Sequence, residues 1–240
     1  MNTYARLGIE FTHGEGVWLF DTAGKRYLDA LSGIAVCGLG YGNPALTAAI
    51  ADQAGKLMHT SNLFEIGLQR QLAEKLTDLA GMARVFFANS GAEANEAAIK
   101  LARLHGHQRG IERPSIIVME GAFHGRTIAT LTASGNRKIQ AGFEPLLSGF
   151  IRAPYGDIDA LKNIAENNSG VVAILLEPIQ GEGGIRPGTA EYLQGIRALC
   201  DKHDILMMVD EVQCGMGRTG KLFAHEWAGV TPDIMMVAKG

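Results

Sequence analysis

The stretch Ile205-Leu206-Met207-Met208-Val209-Asp210-Glu211-Val212-Gln213 constrains the fold of this chain more than any other. An unbroken apolar run without charge reads as a strand buried on both faces. It ends abruptly on Asp210, where such a strand would emerge from a sheet. A second apolar run, 234–238, ends on Lys239. A carboxylate and an amine therefore both stand at strand ends, an arrangement suited to a ligand held covalently by the amine and electrostatically by the acid.

Upstream, the chain divides by pattern. Residues 9–36 read as short strands joined by turns, with Asp21-Thr22-Ala23-Gly24 as turn chemistry between two aromatic-containing runs, which predicts a small antiparallel hairpin. Pro44 opens a helix with Leu46, Ile50, Ala54 and Leu57 on one face, and a second helix carries Leu68, Leu72, Leu76 and Leu79 at helical spacing. From there apolar strands alternate with amphipathic helices. Strands are expected at 84–88, 115–119, 171–176 and 205–209, and helices at 92–104, 157–164 and 189–200. Such alternation is the signature of an α/β domain with a mostly parallel sheet. The chain stops at Gly240 directly after an apolar run, with no closing helix, and reads as incomplete at its C-terminus.

Composition narrows the function classes. With 240 residues, 47% of them hydrophobic, the chain can bury a sizeable core in one large domain or somewhat more. No apolar run approaches the roughly 20 residues that cross a bilayer, and the N-terminus lacks a signal peptide's apolar core, so a cytoplasmic protein is expected. Cys37, Cys200 and Cys214 form no Cys-x-x-Cys pair, which argues against a disulfide framework or a zinc site. A net charge of -3 with scattered basic residues gives no nucleic-acid footprint. Glycine, at 31 residues, is close to twice its usual ~7% share and clusters in short loops after apolar runs.

Open parallel sheets bind ligands outside the carboxyl ends of their strands. Five segments there carry chemistry: Asn89-Ser90-Gly91-Ala92-Glu93, Gly121-Ala122-Phe123-His124-Gly125-Arg126, Glu177-Pro178-Ile179-Gln180-Gly181-Glu182-Gly183-Gly184, Asp210 to Gln213, and Lys239. Ser90 and Glu93 have the spacing of a capping box, while Gly91 and the free N–H groups of a first helical turn can also seat a phosphate. Phe123 is either a packed aromatic or a ring stacked on a cofactor, and Arg126 either a solvated charge or a fork for a substrate carboxylate. His124 reads as a structural hydrogen-bonder in preference to a catalytic group. Asp210 is expensive to bury unless paired, either with an Arg or Lys or with a protonated pyridine nitrogen. Lys239 is either a surface charge or a Schiff-base amine. Pyridoxal phosphate is the cofactor that needs both an acid and an amine so placed. Gly215-Met216-Gly217-Arg218-Thr219-Gly220 matches a dinucleotide fingerprint, but it lies beyond the strand end and no adequate helix follows it.

In these motifs the chain resembles the class III, fold-type I, pyridoxal-phosphate-dependent aminotransferases from about Tyr4 to Gly240. The resemblance rests on 20–29, His59-Thr60-Ser61-Asn62-Leu63, 86–96, 123–127 and 210–220, and the second of these segments looks most like the acetylornithine branch. It implies a fold-type I large domain with a mostly parallel sheet (44–240) and the N-terminal part of a small α+β domain (1–43), incomplete at the C-terminus. It also implies roles: Ser90, Gly91 and Ala92 would hold the phosphate, Phe123 and Val212 would cover the two ring faces, Asp210 would bind the ring nitrogen, and Gln213 would reach the ring oxygen. Lys239 would carry the cofactor, Arg126 would take the substrate α-carboxylate and Glu182 would lie by the amino-acid pocket. The implied activity is transfer of the δ-amino group of N2-acetyl-L-ornithine to 2-oxoglutarate, in arginine biosynthesis, by a homodimer. Other class III activities (succinylornithine, succinyldiaminopimelate, ornithine or 4-aminobutyrate aminotransferase, or an aminomutase) and an inactive fragment remain as alternatives. The family's usual histidines are missing around Gly40-Tyr41-Gly42-Asn43-Pro44, and its C-terminal strand, partner-facing threonine and second arginine lie outside this sequence; the 240-residue chain alone is therefore expected to have little activity.

Overall fold

The computed structural model describes residues 3–239. Their backbone contacts form two compact units, one closing at Met82 and one spanning Ala83–Lys239.

The first unit begins with a three-stranded antiparallel sheet, β1 (Phe11–Glu15), β2 (Trp18–Asp21) and β3 (Arg26–Leu28), in that order. Asp21 makes the second turn. Its Oδ1 accepts the N–H groups of Ala23 and Lys25, both at 2.9 Å, and its Oδ2 accepts the Tyr27 hydroxyl at 3.0 Å. The expected hairpin is thus part of a longer meander. The segment around Tyr41, where the chain departs from the family pattern, closes the sheet: Gly16 and Tyr41 exchange backbone hydrogen bonds of 2.9 and 2.8 Å, and the Tyr41 hydroxyl donates to Asp29 at 2.6 Å.

A helical turn, α1 (Ser32–Ala35), precedes α2 (Pro44–Lys56) and α3 (Gly67–Ala80). The Asn43 side chain accepts from the N–H groups of Ala45 and Leu46, and Pro44 occupies a first-turn position where its missing N–H costs nothing. Gly81, at φ 65°, ends α3 with a left-handed cap. Neither α2 nor α3 buries a residue; Ile50, Leu68 and Leu79 on their apolar faces are all more than half exposed. By backbone contacts α2 and α3 group with the first unit, which closes at Met82.

The second unit holds α4 (Gly91–Gln108), β4 (Ser115–Met119), α5 (Ile128–Ala133), α6 (Arg137–Gln140), β5 (Phe150–Ala153), α7 (Ile158–Asn167) and β6 (Val171–Leu176). It continues with a small hairpin, β7 (Ile179–Gln180) and β8 (Arg186–Pro187), then α8 (Ala190–His203), β9 (Leu206–Asp210) and β10 (Ile234–Met236). The main sheet has the order β10-β9-β6-β4-β5 and every pairing in it is parallel. Capping side chains start the helices where expected: Asp157 accepts from Ala160 N at 2.9 Å, and Thr189 from Tyr192 N at 3.1 Å.

Alternate residues of each strand serve different cores. Ile117, Ile174, Leu176, Met207 and Val209 pack against Leu161, Leu193 and Ile196 of α7 and α8, while Ile116, Val118, Leu175 and Met208 pack against Ala98, Ile99 and Ala102 of α4. Both faces are covered, so the strands carry no polar alternation. Two expectations are corrected. Residues 84–88 form no strand, for their backbone joins no ladder among the described residues and Phe86 is 75% exposed. The last strand stops at Met236, short of 238. Among the described residues, no helix is long and apolar enough to cross a membrane, and no group of His, Cys, Asp or Glu is arranged to hold a metal ion.

Leu175 lies on the central strand with no exposed surface. Leu175→Ala is expected to lower the unfolding free energy by about 2–5 kcal/mol in urea denaturation, and a loss under about 1 kcal/mol would contradict the two-faced core.

Candidate functional site

The loops after β4, β6 and β9, the residues beyond β10 and the N-terminus of α4 all belong to the second unit. The acid anticipated at the end of β9 is there. Asp210 closes the strand and is 3% exposed. Its Oδ2 accepts from Asn95 Nδ2 at 2.9 Å and lies 2.8 Å from His124 Nδ1; its Oδ1 accepts from Val212 N at 3.0 Å. No Lys or Arg pairs with it among the described residues, so the alternative of an ordinary Lys or Arg salt bridge does not hold. His124 is the structural hydrogen-bonder expected, and the group it orients is Asp210. Its other ring nitrogen, Nε2, is buried without a partner, as is Asn95 Oδ1.

The N-terminus of α4 is capped by Ser90, whose Oγ accepts from Glu93 N at 3.2 Å. Glu93 reaches one residue further back than a capping box requires, accepting from Asn89 N at 2.7 Å and Asn89 Nδ2 at 2.9 Å. The remaining first-turn N–H groups have no intrahelical acceptor and carry the positive end of the helix dipole. Gly91 is required here by packing: a Cβ on it would stand 2.7 Å from Val212 Cγ1. Val212 thus lies directly against the N-terminal end of α4. Gln213 sits as closely against Gly181, where a Cβ would fall 1.5 Å from Gln213 Oε1.

Phe123, Arg126 and Glu182 line one cleft, with Gly121, Asn136 and Arg137, of about 620 Å³ counting its open mouth. Phe123 is half-buried, while Arg126 and Glu182 are exposed. Asp210, Val212, Gln213 and Lys239 do not line this cleft. Met236 pairs in register with Asp210, so the chain reaches Lys239 just beyond the level of the acid. Lys239 is half-buried, with left-handed backbone at φ 53°, a conformation uncommon for a residue with a side chain and typical of functional sites. Its amine makes no hydrogen bond or ion pair among the described residues.

Three contributors lay in segments the sequence singled out but were given no role there. Asn95 lies within a quoted motif, and a polar residue on the buried face of a helix was the available signal. Glu177, 6% exposed, accepts from Phe123 N at 2.6 Å and Gly181 N at 3.0 Å. Burial pushes its pKa up to about 7, with Asp210 adding to the rise and His124 and the two N–H groups opposing it. Glu211, fully buried, accepts from His225 N at 2.8 Å and Ala224 N at 2.9 Å, anchoring the 3-10 helix Ala224–Ala228. The glycine-rich 215–220 segment folds into turns followed by that short helix, so the dinucleotide fingerprint lacks its structural context.

These residues suit pyridoxal phosphate: a buried carboxylate with no Lys or Arg partner among the described residues, a helix N-terminus packed on Val212, an aromatic residue lining a cleft and an amine without an ion pair. A model of the family described as Aminotransferase class-III matches residues 2–240. The chain is 62% identical over 240 residues to the acetylornithine aminotransferase of Nitrosomonas europaea, covering all of this chain and 61% of that protein. Among solved structures, the N-acetylornithine aminotransferase from Stenotrophomonas maltophilia K279a is 40% identical with a TM-score of 0.85, over 98% of this chain and 59% of that one. The ornithine aminotransferase from Toxoplasma gondii, crystallised with oxidised glutathione and showing partial occupancy of PLP at its active site, is 32% identical with a TM-score of 0.95, over 99% and 56%. The chain spans about 61% of the length of the curated relative from Nitrosomonas. The match across residues 2–240, on a fold shared with these structures, shows that the chain belongs to the class-III aminotransferase family.

Proposed function

We propose that this protein works as a pyridoxal-phosphate-dependent acetylornithine aminotransferase, moving the δ-amino group of N2-acetyl-L-ornithine to 2-oxoglutarate in arginine biosynthesis. The reaction class is carried by Asp210, a buried carboxylate at a strand end whose side-chain partners among the described residues are His124, Asn95 and the N–H of its own loop. The substrate rests on the 62% identity to the Nitrosomonas enzyme. The assembled enzyme would be a cytoplasmic homodimer, with residues 44–240 in its cofactor-binding large domain and 1–43 in its small domain.

When bound, the cofactor supplies a protonated ring that accepts electron density from the substrate carbon. Asp210 would hold the ring nitrogen's proton, and His124 and Asn95 would keep the acid aimed. Backbone N–H groups at Ser90, Gly91 and Ala92 would take the phosphate, where the helix end favours negative charge. Phe123 and Val212 would pack on opposite ring faces and exclude water. Gln213, fixed against Gly181, would reach the ring oxygen. Lys239 Nζ would anchor the cofactor and, once released by the substrate amine, take a proton from the reacting carbon and return it. Arg126 would fork the substrate α-carboxylate, with Glu182 beside the same pocket.

Two outcomes are expected. In the full-length protein, Lys239→Ala should remove the visible absorbance of the attached cofactor and lower kcat by about 10²–10⁴-fold, and a variant retaining both would sink the scheme. Asp210→Asn, which keeps the size but removes the charge, should leave the cofactor attached yet lower kcat by about 10²–10³-fold; a change under about threefold would show that the acid does not serve the ring.

A further inference from the structure

We propose that Glu177 is a positioning residue that fixes the ring-covering loop to the substrate loop, each carboxylate oxygen holding one backbone N–H. The inference rests on the assignment of Phe123 to the cofactor and Glu182 to the substrate made above. Glu177 is the first residue beyond β6, in the interior. Its Oε1 accepts from Phe123 N at 2.6 Å, and its Oε2 from Gly181 N at 3.0 Å. Phe123 lies on the loop after β4, and Gly181 immediately precedes Glu182 on the loop after β6. Gly181 also receives the Gln213 side chain, so a third loop leans on the same point. One carboxylate therefore sets the height of three side chains assigned to ligand.

A simple loop staple does not need a charge. Burying a carboxylate costs stability unless its oxygens are well met, and no Lys or Arg meets this one among the described residues. The fold already has neutral staples here: Gln180 Nε2 donates to Glu120 O at 2.8 Å, and the Tyr155 hydroxyl to Pro178 O at 2.9 Å. What the charge adds is strength and alignment on two N–H donors at once. The charged and titratable groups facing Glu177 are His124 and Asp210 from the site and Tyr155, whose phenol burial pushes up.

The clamp has opposite consequences for stability and ligand. A carboxyl whose folded pKa is about 7, above its unfolded value near 4.5, contributes stability that is present below pH about 4.5 and is lost as pH rises through about 7. The ionised form accepts both N–H groups at full strength, since protonation makes one of the two oxygens a hydroxyl and a weaker acceptor. Ligand positioning should therefore weaken as pH falls below about 7, while this group's contribution to folding improves.

The test compares wild type with Glu177→Gln as holoenzyme. It measures the dissociation constant of pyridoxal phosphate by absorbance, KM and kcat for N-acetylornithine across pH 5.5–8.5 (about one and a half units each side of neutrality, spanning the folded pKa), and melting of the cofactor-free protein. Glu177→Gln should raise both the cofactor dissociation constant and KM roughly tenfold at pH ~8, flatten their pH dependence near neutrality and melt no lower than wild type. Unchanged constants, or losses that track a lower melting temperature, overturn the proposal. Should the glutamine variant not fold, Glu177→Asp, which keeps the charge but retracts it by one methylene, should show the same losses with the pH dependence retained; unchanged constants there overturn it equally. Wild type that binds no pyridoxal phosphate overturns the assigned function as well, whereas normal wild-type binding with unaffected variants overturns only the clamp.

Discussion

The buried carboxylate of Asp210 is the interaction on which the site's arrangement depends. Removed from water at the end of β9, it is tolerable only where donors converge, and those donors come from separate segments: Asn95 on α4, His124 after β4 and the Val212 N–H after β9. Satisfying one acid therefore draws together the helix end, the aromatic loop and the loop that carries Gln213. Further contacts follow from that convergence. Val212 can rest on the end of α4 because Gly91 has no Cβ, and His124 is itself fixed when its N–H donates to Ser134 Oγ at 2.9 Å.

The parallel sheet makes the convergence possible. Parallel pairing from β5 through β10 brings every loop that follows a strand to the same edge, so residues far apart in sequence become neighbours without long excursions. Helices on both faces supply the rigidity. The backbone ends on which the side chains hang are held by Ile174, Leu175, Met207 and Met208, each without exposed surface, and a misplaced strand would open a cavity in one core or the other.

The sequence revealed the elements best where a single physical cause shaped a whole segment. β6 and β9 were legible because burial on both faces forbids polar residues throughout, and α7 and α8 because Asp157 and Thr189 mark their starts. The 84–88 run has the same apolar character but joins no ladder among the described residues, and apolar character alone does not supply a partner. The helices α2 and α3 showed their amphipathic faces plainly, whereas nothing in their spacing indicated that those faces would bury no residue. In the site, loop positions were legible and pairings were not. Asn95 and His124 meet Asp210 across 115 and 86 residues of sequence, a distance over which periodicity carries no information.

Neighbouring acids show how pairing decides role. Asp210 and Glu211 are adjacent and both buried, yet their environments differ. Glu211 Oε1 takes the His225 N–H and shares a hydrogen bond with His225 Nδ1, while Oε2 takes Ala224 N–H at 2.9 Å and the Cys214 thiol at 3.4 Å. A carboxylate offers about four lone-pair sites, so Glu211 is fully engaged by its own chain. Asp210 has Val212 N–H on one oxygen and Asn95 and His124 on the other, which leaves a position open on Oδ1. Charge and burial are common to both residues; the acceptor capacity that Asp210 keeps and Glu211 has filled is the difference on which the role proposed for Asp210 rests.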